Sequence, residues 1–478
     1  MKRNDKVIIW SFFILLWIIM AFFYLRVHPL VIWDTDDWGN ISLVRKPYPD
    51  RSAWNPSKVF PEIFMKLCAW IGVKCIMPLS NDFIGALTLV FGLIVSFFIA
   101  MYGTCFVLFL YTKFNFEVYK ASLVGIFFML FHFLIFDTSE GGNLYLLYSS
   151  SVTGYFHYVI PSLLNLILLM LLEIENLHKC NALKKGGIFL LIYLAIFSNL
   201  FCSYILMFWA VFKIFKKFFD NQKNLRNILY EEIDKFGIIV VWGISAIYEL
   251  NGARADSLKN DNFIGNIVSA GKLFVIRFGK LNTFFVVLSI VIIVFGNICI
   301  FLNKEKVSFL LECLIFIMIN AIYLVLLSAK TTAEYIDRPD VLIGCFFWIL
   351  MFVMVNMVVI IQNTDKIILT IPIILFVLCF DIPCGYSTFA ESNASGIDSN
   401  IVKEIDNDFI RQIISAVDGN KDRLELHIPE TSGDNWPFVS EASNCFSHSL
   451  YTYGIINREI ETVYVRDRSI NEKYNFVY

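Results

Sequence analysis

Three acids, Asp34, Asp36 and Asp37, crowd into "VIWDTDDWGN" between Trp33 and Trp38. A carboxylate partly removed from water is harder to ionise, so its pKa rises toward neutrality. Such a group can take a proton from an attacking hydroxyl. Spacing alone does not choose among the three. The plainer reading has the tryptophans anchored at a membrane interface and the aspartates ending a helix in water. A second set of side chains can hold the negative charge that such an attack releases. "NGARADSLKN" (Asn251–Asn260) carries Arg254 and Lys259, and Arg277, Lys280 and Arg338 follow it. A guanidinium offers a planar fork of donors that matches a phosphate and stays charged when half buried. A third stretch, "SSSVTGYFHYVIPS" (Ser149–Ser162), brings Tyr155, Phe156 and Tyr158, whose faces can stack on a sugar or an isoprenoid chain. Gly154 and Pro161 suit a re-entrant or interfacial turn there. His157 reads first as a structural residue and second as a proton carrier.

The elements that position these residues are read from composition. The chain has 478 residues, of which 58% are hydrophobic and 17% charged; about a quarter is usual for the charged share of a soluble domain. The mean hydropathy is +0.66. Apolar blocks of bilayer-crossing length recur, so the chain reads as an α-helical polytopic membrane protein. A net charge of -2 leaves no basic face for nucleic acid. Lys2, Arg3 and Lys6 precede a long apolar run without the small-residue cleavage site of a signal peptide, which predicts a retained first helix with a cytoplasmic N-terminus.

Predicted spans lie near 7–26, 84–112, 121–136, 159–175, 187–199, 200–217, 233–249, 281–302, 309–328, 341–362 and 367–380, about eleven in all. The alternate loops that this order places inside carry Lys113 and Lys120; Lys179, Lys184 and Lys185; Lys213, Lys216, Lys217, Lys223 and Arg226; Lys304 and Lys306; and Lys366. Positive charge on every inner loop is what orientation in a membrane requires. The same parity puts loops 27–83, 137–158, 250–280 and 329–340 and the C-terminal tail outside. Long, chemically mixed loops carry function, so the site is expected on the outer face. The predicted units are a membrane domain over 1–380 and a small α/β subdomain over 381–478.

Within the first loop, "SKVFPEIFMKLCAWIGVKCIM" alternates charged and apolar residues at helical spacing, which predicts a helix lying in the interface. In the tail, "IVKEIDNDFIRQIISAV" reads as a helix, "RLELHIP" as a strand, "WPFVSEASNCFSHSLYTYG" as a helix capped by Gly454, and "ETVYVRD" as a second strand. The eleven cysteines form no CxxC pair, so no metal framework is visible. Cys384 and Cys445 can pair if the tail is exported, or stay as free thiols. Asn40 and Asn393 open N-x-S triplets that carry little weight in what reads as a bacterial protein. Glu173, Glu249 and Glu312 fall near span ends, and so few intramembrane charges weigh against a transporter.

The outer acidic cluster after the first span, the interfacial helix and the exported tail together resemble the GT-C superfamily of polyprenyl-phosphate-sugar-dependent glycosyltransferases. More narrowly, "WNPSKVFPE", "SVTGYFHYVIP" and "GDNWPFVSEASNCFSHSLYTYGII" resemble the phage-associated Gtr-type O-antigen glucosyltransferases, which convert the serotype of lipopolysaccharide. The resemblance implies a GT-C-like membrane fold and a donor, undecaprenyl-phosphate-glucose, presented at the periplasmic face of a bacterial inner membrane. It also implies a lipid-linked O-antigen acceptor, with a donor synthase and a flippase as possible partners. Its first-loop acid maps onto Asp36 or Asp37, with Asp37 narrowly preferred and Asp34 kept as the third of the cluster. Glu62, inside "VFPE", is a further acidic candidate. Donor-phosphate residues map onto Arg254, with Lys58, Arg338, Lys259 and Arg277 as further candidates. Tyr155, His157, Tyr158 and Trp436 are the expected substrate-binding residues. No cofactor and no obligatory divalent metal are expected. A lipid-linked glycan transporter or flippase, and an O-antigen polymerase or ligase, are the alternatives.

Overall fold

A computed structural model describes residues 2–136, 145–175, 177, 180–221, 231–257, 262–300, 304–363, 392–394, 397–431 and 436–475. It is 77% helix and 4% strand, so helices alone make the framework. In chain order they are α1 (Arg3–Phe22), α2 (Thr35–Ser42), α3 (Val59–Ile71), α4 (Phe83–Lys113), α5 (Val118–Leu134), α6 (Ile160–Ile174), α7 (Ala182–Ile196) and α8 (Leu200–Asn221). After these come α9 (Ile233–Leu250), α10 (Ala253–Ser257), α11 (Phe263–Gly279), α12 (Thr283–Ile300), α13 (Lys304–Lys330) and α14 (Pro339–Asn363). The tail adds α15 (Ser399–Asp418), β1 (Arg423–Pro429), α16 (Cys445–Thr452), β2 (Glu461–Asp467) and α17 (Arg468–Tyr474).

Among the described residues six helical stretches are long and apolar enough to cross a bilayer: Arg3–Val27, Val59–Ser80, Phe83–Lys113, Val152–Ile174, Lys306–Lys330 and Pro339–Asn363. This is a helical membrane protein. Every sequence-predicted span from 7–26 to 341–362 meets a helix, while 367–380, Lys366 and Cys384 lie outside the described residues. Val59–Ser80, expected to lie flat, meets the length and hydropathy of a crossing helix as well, running through a π turn at Gly72–Ile76. Loop 250–280 is largely helical: α11 fills most of it, its apolar residues interrupted often enough to read as loop.

Carboxylates near the ends of the spans are paired. Glu173 meets Lys113 at 2.8 Å and Lys213 at 2.6 Å, and Glu312 meets Lys216 at 2.5 Å. Glu249 accepts from Ser57 N–H at 3.0 Å and Ser57 Oγ at 2.6 Å, which ties the first loop to the end of α9.

The tail's two strands fall on the predicted residues and pair in parallel from Arg423–Glu461 to Pro429–Asp467. The connection between them contains α16. Helix α16 is shorter than the sequence reading, because Trp436–Val439 is bent backbone and Ser440–Ala442 a 3-10 turn, but Gly454 ends it as expected. Its φ of 75° lets Gly454 N–H bond Tyr451 O and Ile455 N–H bond Leu450 O, both at 2.9 Å, a Schellman closure.

The tail is not a separate lobe. Trp33 and Trp38, expected at a membrane interface, are buried instead. Trp33 packs on Phe438, and Trp38 lies between Phe446 of α16 at 4.7 Å and Phe83 of α4 at 6.1 Å. The free carbonyls of α2 are met by the tail, Trp38 O by Ser449 Oγ and Ile41 O by the Tyr453 hydroxyl. Asn393, in the second N-x-S triplet, is fully buried and bonds both the N–H and the carbonyl of Val31, at 2.7 and 2.8 Å. The indole N–H of Trp38 donates to Asp406 of α15 at 3.3 Å.

Asp406 is fully buried, and among the described residues its Oδ2 has no hydrogen-bond partner. Burial holds its carboxyl well above the ordinary range, the Trp38 bond notwithstanding. A carboxyl whose pKa is raised by folding stabilises the fold while protonated and loses that contribution as pH rises through the folded pKa. Asp406→Asn, which copies the neutral form, is expected to melt with the native chain at acid pH and above it at alkaline pH. The gap should be about 1–3 kcal/mol, the size of an uncompensated buried polar group. Thermal melts across pH check this; a gap that does not change with pH contradicts it.

Candidate functional site

Asp34 caps α2, its Oδ1 accepting Asp37 N–H at 2.7 Å. Asp37, one turn in, accepts three backbone N–H groups: Trp33 at 3.1 Å, Val152 at 3.3 Å and Thr153 at 2.6 Å. Both are buried. Burial lifts Asp34 well above the usual carboxylate range, with the charges of Asp37 and Asp36 adding to it. Burial also lifts Asp37, against the pull of the N–H groups it accepts from, to about 6. The side chain between them, Asp36, points the other way and is exposed in a cavity of about 500 Å³.

Asp36 shares that cavity with Lys58, Glu62, His157, Tyr158, Arg254, Tyr335, Arg338 and Trp436. The structure therefore gathers one acid of the cluster with three of the predicted cations. Asp36 is open to the cavity but enclosed by its walls, and this enclosure raises its carboxyl although Lys58, Arg254 and Arg338 all pull it down.

Each cation is held. Arg254 follows Gly252, against which Pro56 packs so closely that a Cβ there would lie 2.4 Å from Pro56 Cδ. Its N–H bonds Trp54 O at 3.2 Å, and its guanidinium reaches Asn55 Oδ1 at 3.2 Å and the Tyr335 hydroxyl at 2.5 Å. Arg338 lies 4.4 Å from the centre of the Tyr158 ring and 5.2 Å from that of Tyr335. A two-pronged bond to Asp340, 3.1 and 2.7 Å, fixes it there, and Ser149 Oγ donates to Asp340 Oδ2 at 2.8 Å. Lys58 sits 5.6 Å from the Tyr158 ring centre. Burial by itself raises the Tyr335 phenol, but Arg254, Lys58 and Arg338 outweigh it and leave the phenol below its ordinary value. The signal for Tyr335 and Asp340 was a polar island, "EYIDRPD", between two apolar runs.

The other predicted residues divide. Glu62 lines the cavity, and Arg45 neutralises it at 3.2 Å while bonding Asn55 O and Pro56 O. His157 also lines it, nearly buried, and among the described residues its Nε2 has no hydrogen-bond partner. Segment 149–162 is not re-entrant: Val152–Gly154 runs through a π turn at Tyr155–Val159 straight into α6, buried from Val152 to Met170. Tyr155 faces away from the cavity and bonds Tyr145 at 2.8 Å and His28 at 3.3 Å. Arg277 is elsewhere too, paired with Asp337 at 2.8 Å, where it holds the 3-10 turn Ala333–Asp337 that carries Tyr335. Lys280 is exposed at the end of α11. Lys259 lies outside the described residues. Among the described residues no His, Cys, Asp and Glu group has a metal-binding arrangement.

A narrower groove adjoins the cavity and shares Lys58, Tyr158 and Arg254 with it. Its other walls mix Leu200, Phe201, Leu250, Ala255 and Leu327 with Asn199, Glu249, Lys330 and Thr331. Another recess, about 560 Å³, lies between α7 and α9 and is lined mainly by apolar side chains such as Phe189 and Ile238. It gathers none of the residues above, so size does not make it the site.

Asp36 and Asp37 are adjacent but differently employed, and their amides separate the two uses. Asp37→Asn turns a donor toward N–H groups that need an acceptor and is expected to cost about 1–3 kcal/mol. Asp36→Asn should leave the melting temperature unchanged. Equal melting of both variants would contradict the division. No family model, curated protein or solved structure matches this chain.

Proposed function

We propose that this chain is a membrane glycosyltransferase that moves a hexose, glucose in the reading adopted, from undecaprenyl phosphate to a lipid-linked O-antigen acceptor. The observation that carries the reading is one exposed carboxylate, Asp36, facing Lys58, Arg254 and Arg338 in a cavity that adjoins a groove walled in part by Leu200, Phe201, Leu250 and Leu327. A base, a phosphate cradle and a place for a polyprenyl chain are the three parts such a donor needs.

In the proposed reaction Asp36 takes the proton of the acceptor hydroxyl. The oxygen attacks the anomeric carbon from the face opposite the phosphate, and the bond from that carbon to the phosphate oxygen breaks. Its electron pair leaves on polyprenyl phosphate, where Arg254, Lys58 and Arg338 meet the charge. One displacement inverts the anomeric centre, and no metal is required because fixed cations already face the leaving group. Asp36 replaces Asp37 as the preferred base, since Asp37 spends its oxygens on three backbone N–H groups. The wider reading is a GT-C-like fold with about eleven spans in a bacterial inner membrane, the N-terminus cytoplasmic and the site and tail periplasmic. A synthase and a flippase would supply the donor.

Asp36→Asn is expected to lower kcat by about 10²–10⁴, the usual worth of a general base, with a labelled polyprenyl-phosphate hexose as donor. Activity needs the ionised carboxylate, so it is full above the pKa of Asp36 and falls as pH drops through it. The acid limb should lie above the ~3.9 of an ordinary aspartate. Arg254→Ala should weaken donor use roughly ten- to hundredfold, the worth of a charged hydrogen bond, in protein that is still folded. Full transfer by Asp36→Asn would remove the proposed base.

A further inference from the structure

We propose that the mouth of the cavity is a carbohydrate-binding rim, in which Trp54 and Trp436 each lie against a ring of an oligosaccharide acceptor. This rests on the transferase reading and narrows it: the acceptor is recognised as a glycan chain, not as a lone hydroxyl or a lipid.

Trp54 is 57% exposed and Trp436 45%, yet both line the cavity that holds Asp36. Most other exposed large apolar side chains lie on the long apolar helices, where lipid covers them. These two stand among Asn40, Asn55, Ser150, Ser151 and Thr153. A lipid chain needs a continuous apolar wall, which this rim does not offer. A pyranose has an apolar C–H face and an edge of hydroxyls. An indole beside amide and hydroxyl side chains matches both at once.

Both indoles are mounted on fixed backbone. The Trp54 carbonyl accepts Arg254 N–H at 3.2 Å, so the rim is joined directly to the phosphate cradle. Next to Trp436, the Pro437 carbonyl accepts both the N–H and the hydroxyl of Thr35 at 3.1 Å, and Val439 N–H returns a bond to Thr35 Oγ1 at 3.0 Å. Thr35 directly precedes Asp36. The tail segment is thus strapped to the residue before the proposed base, and a ring held on Trp436 stays in register with it. Preorganised groups of this kind bind without first losing chain entropy.

The test uses the full chain in detergent micelles, exposed to an array of short neutral oligosaccharides of hexoses and deoxyhexoses. The best binder is then titrated calorimetrically. Trp54→Ala and Trp436→Ala should each weaken it roughly three- to tenfold, the worth of an aromatic contact. The phenylalanine variants, which keep a ring, should restore most of the affinity. Trp10→Ala, on the exposed face of α1, should change nothing. Absence of binding across the array, or binding untouched by both alanine variants, overturns the rim. Binding of a nucleobase in place of any sugar overturns it also. Donor binding, read separately with a polyprenyl-phosphate hexose in nanodiscs, tells the two proposals apart. Retained donor binding with no glycan binding overturns the rim alone, whereas glycan binding without donor binding upholds the rim and removes the transferase reading.

Discussion

One carboxylate holds the arrangement together. Asp37 accepts N–H groups from Trp33 and from Val152 and Thr153, so it joins the chain leaving the first helix to the turn that opens α6. Its own N–H is taken by Asp34. Three backbone donors buried without an acceptor would each cost on the order of 1–3 kcal/mol, so this junction is hard to open. With α2 fixed at that end, and its carbonyls met by Ser449 and Tyr453 at the other, Asp36 has one direction left, into the cavity. The acids that are out of reach are what aim the one that is not.

The same economy governs the cations. Placing positive charges side by side is unfavourable unless something screens them. Arg338 has Asp340, and Arg254 has the Tyr335 hydroxyl and the Asn55 amide oxygen. The rings of Tyr158 and Tyr335 lie between the cations and offer their negative faces. Arg277 contributes from a distance by holding the turn that carries Tyr335. What is left over is a cluster of three cations facing Asp36, with Glu62 tied to Arg45 in the same wall.

The helical framework was legible because apolar blocks must be long to cross a bilayer, and length survives without any knowledge of contacts. The strands Arg423–Pro429 and Glu461–Asp467 and the Gly454 cap were legible for local reasons, alternation and a positive φ. The acid cluster, Arg254 and Arg338 were singled out by type and position, and Lys58 through the resemblance carried by "WNPSKVFPE". The roles within the cluster were not, because Asp36 and Asp37 differ only in which partners lie around them, and Val152 is far away in sequence. Trp33 and Trp38 misled for the same reason: tryptophan suits an interface and a core equally, and only the arrival of Phe438 and Phe446 from the tail decides. Arg277 looked like a phosphate ligand until its partner Asp337 was seen, and the polar island around Tyr335 marks a place without saying which of its side chains meets the cations. Sequence shows which groups are available; the tail, folding back across the whole chain, determines which of them face the cavity.

The central claim is that a sugar is transferred to a glycan. The most direct measurement is the mass of the envelope polysaccharide repeat in cells with and without this protein, with linkage analysis of any added sugar. The account predicts one additional hexose per repeat, joined with inverted anomeric configuration relative to the donor. An unchanged repeat, in cells where the intact protein is in the membrane and its lipid-linked donor is being made, would contradict it.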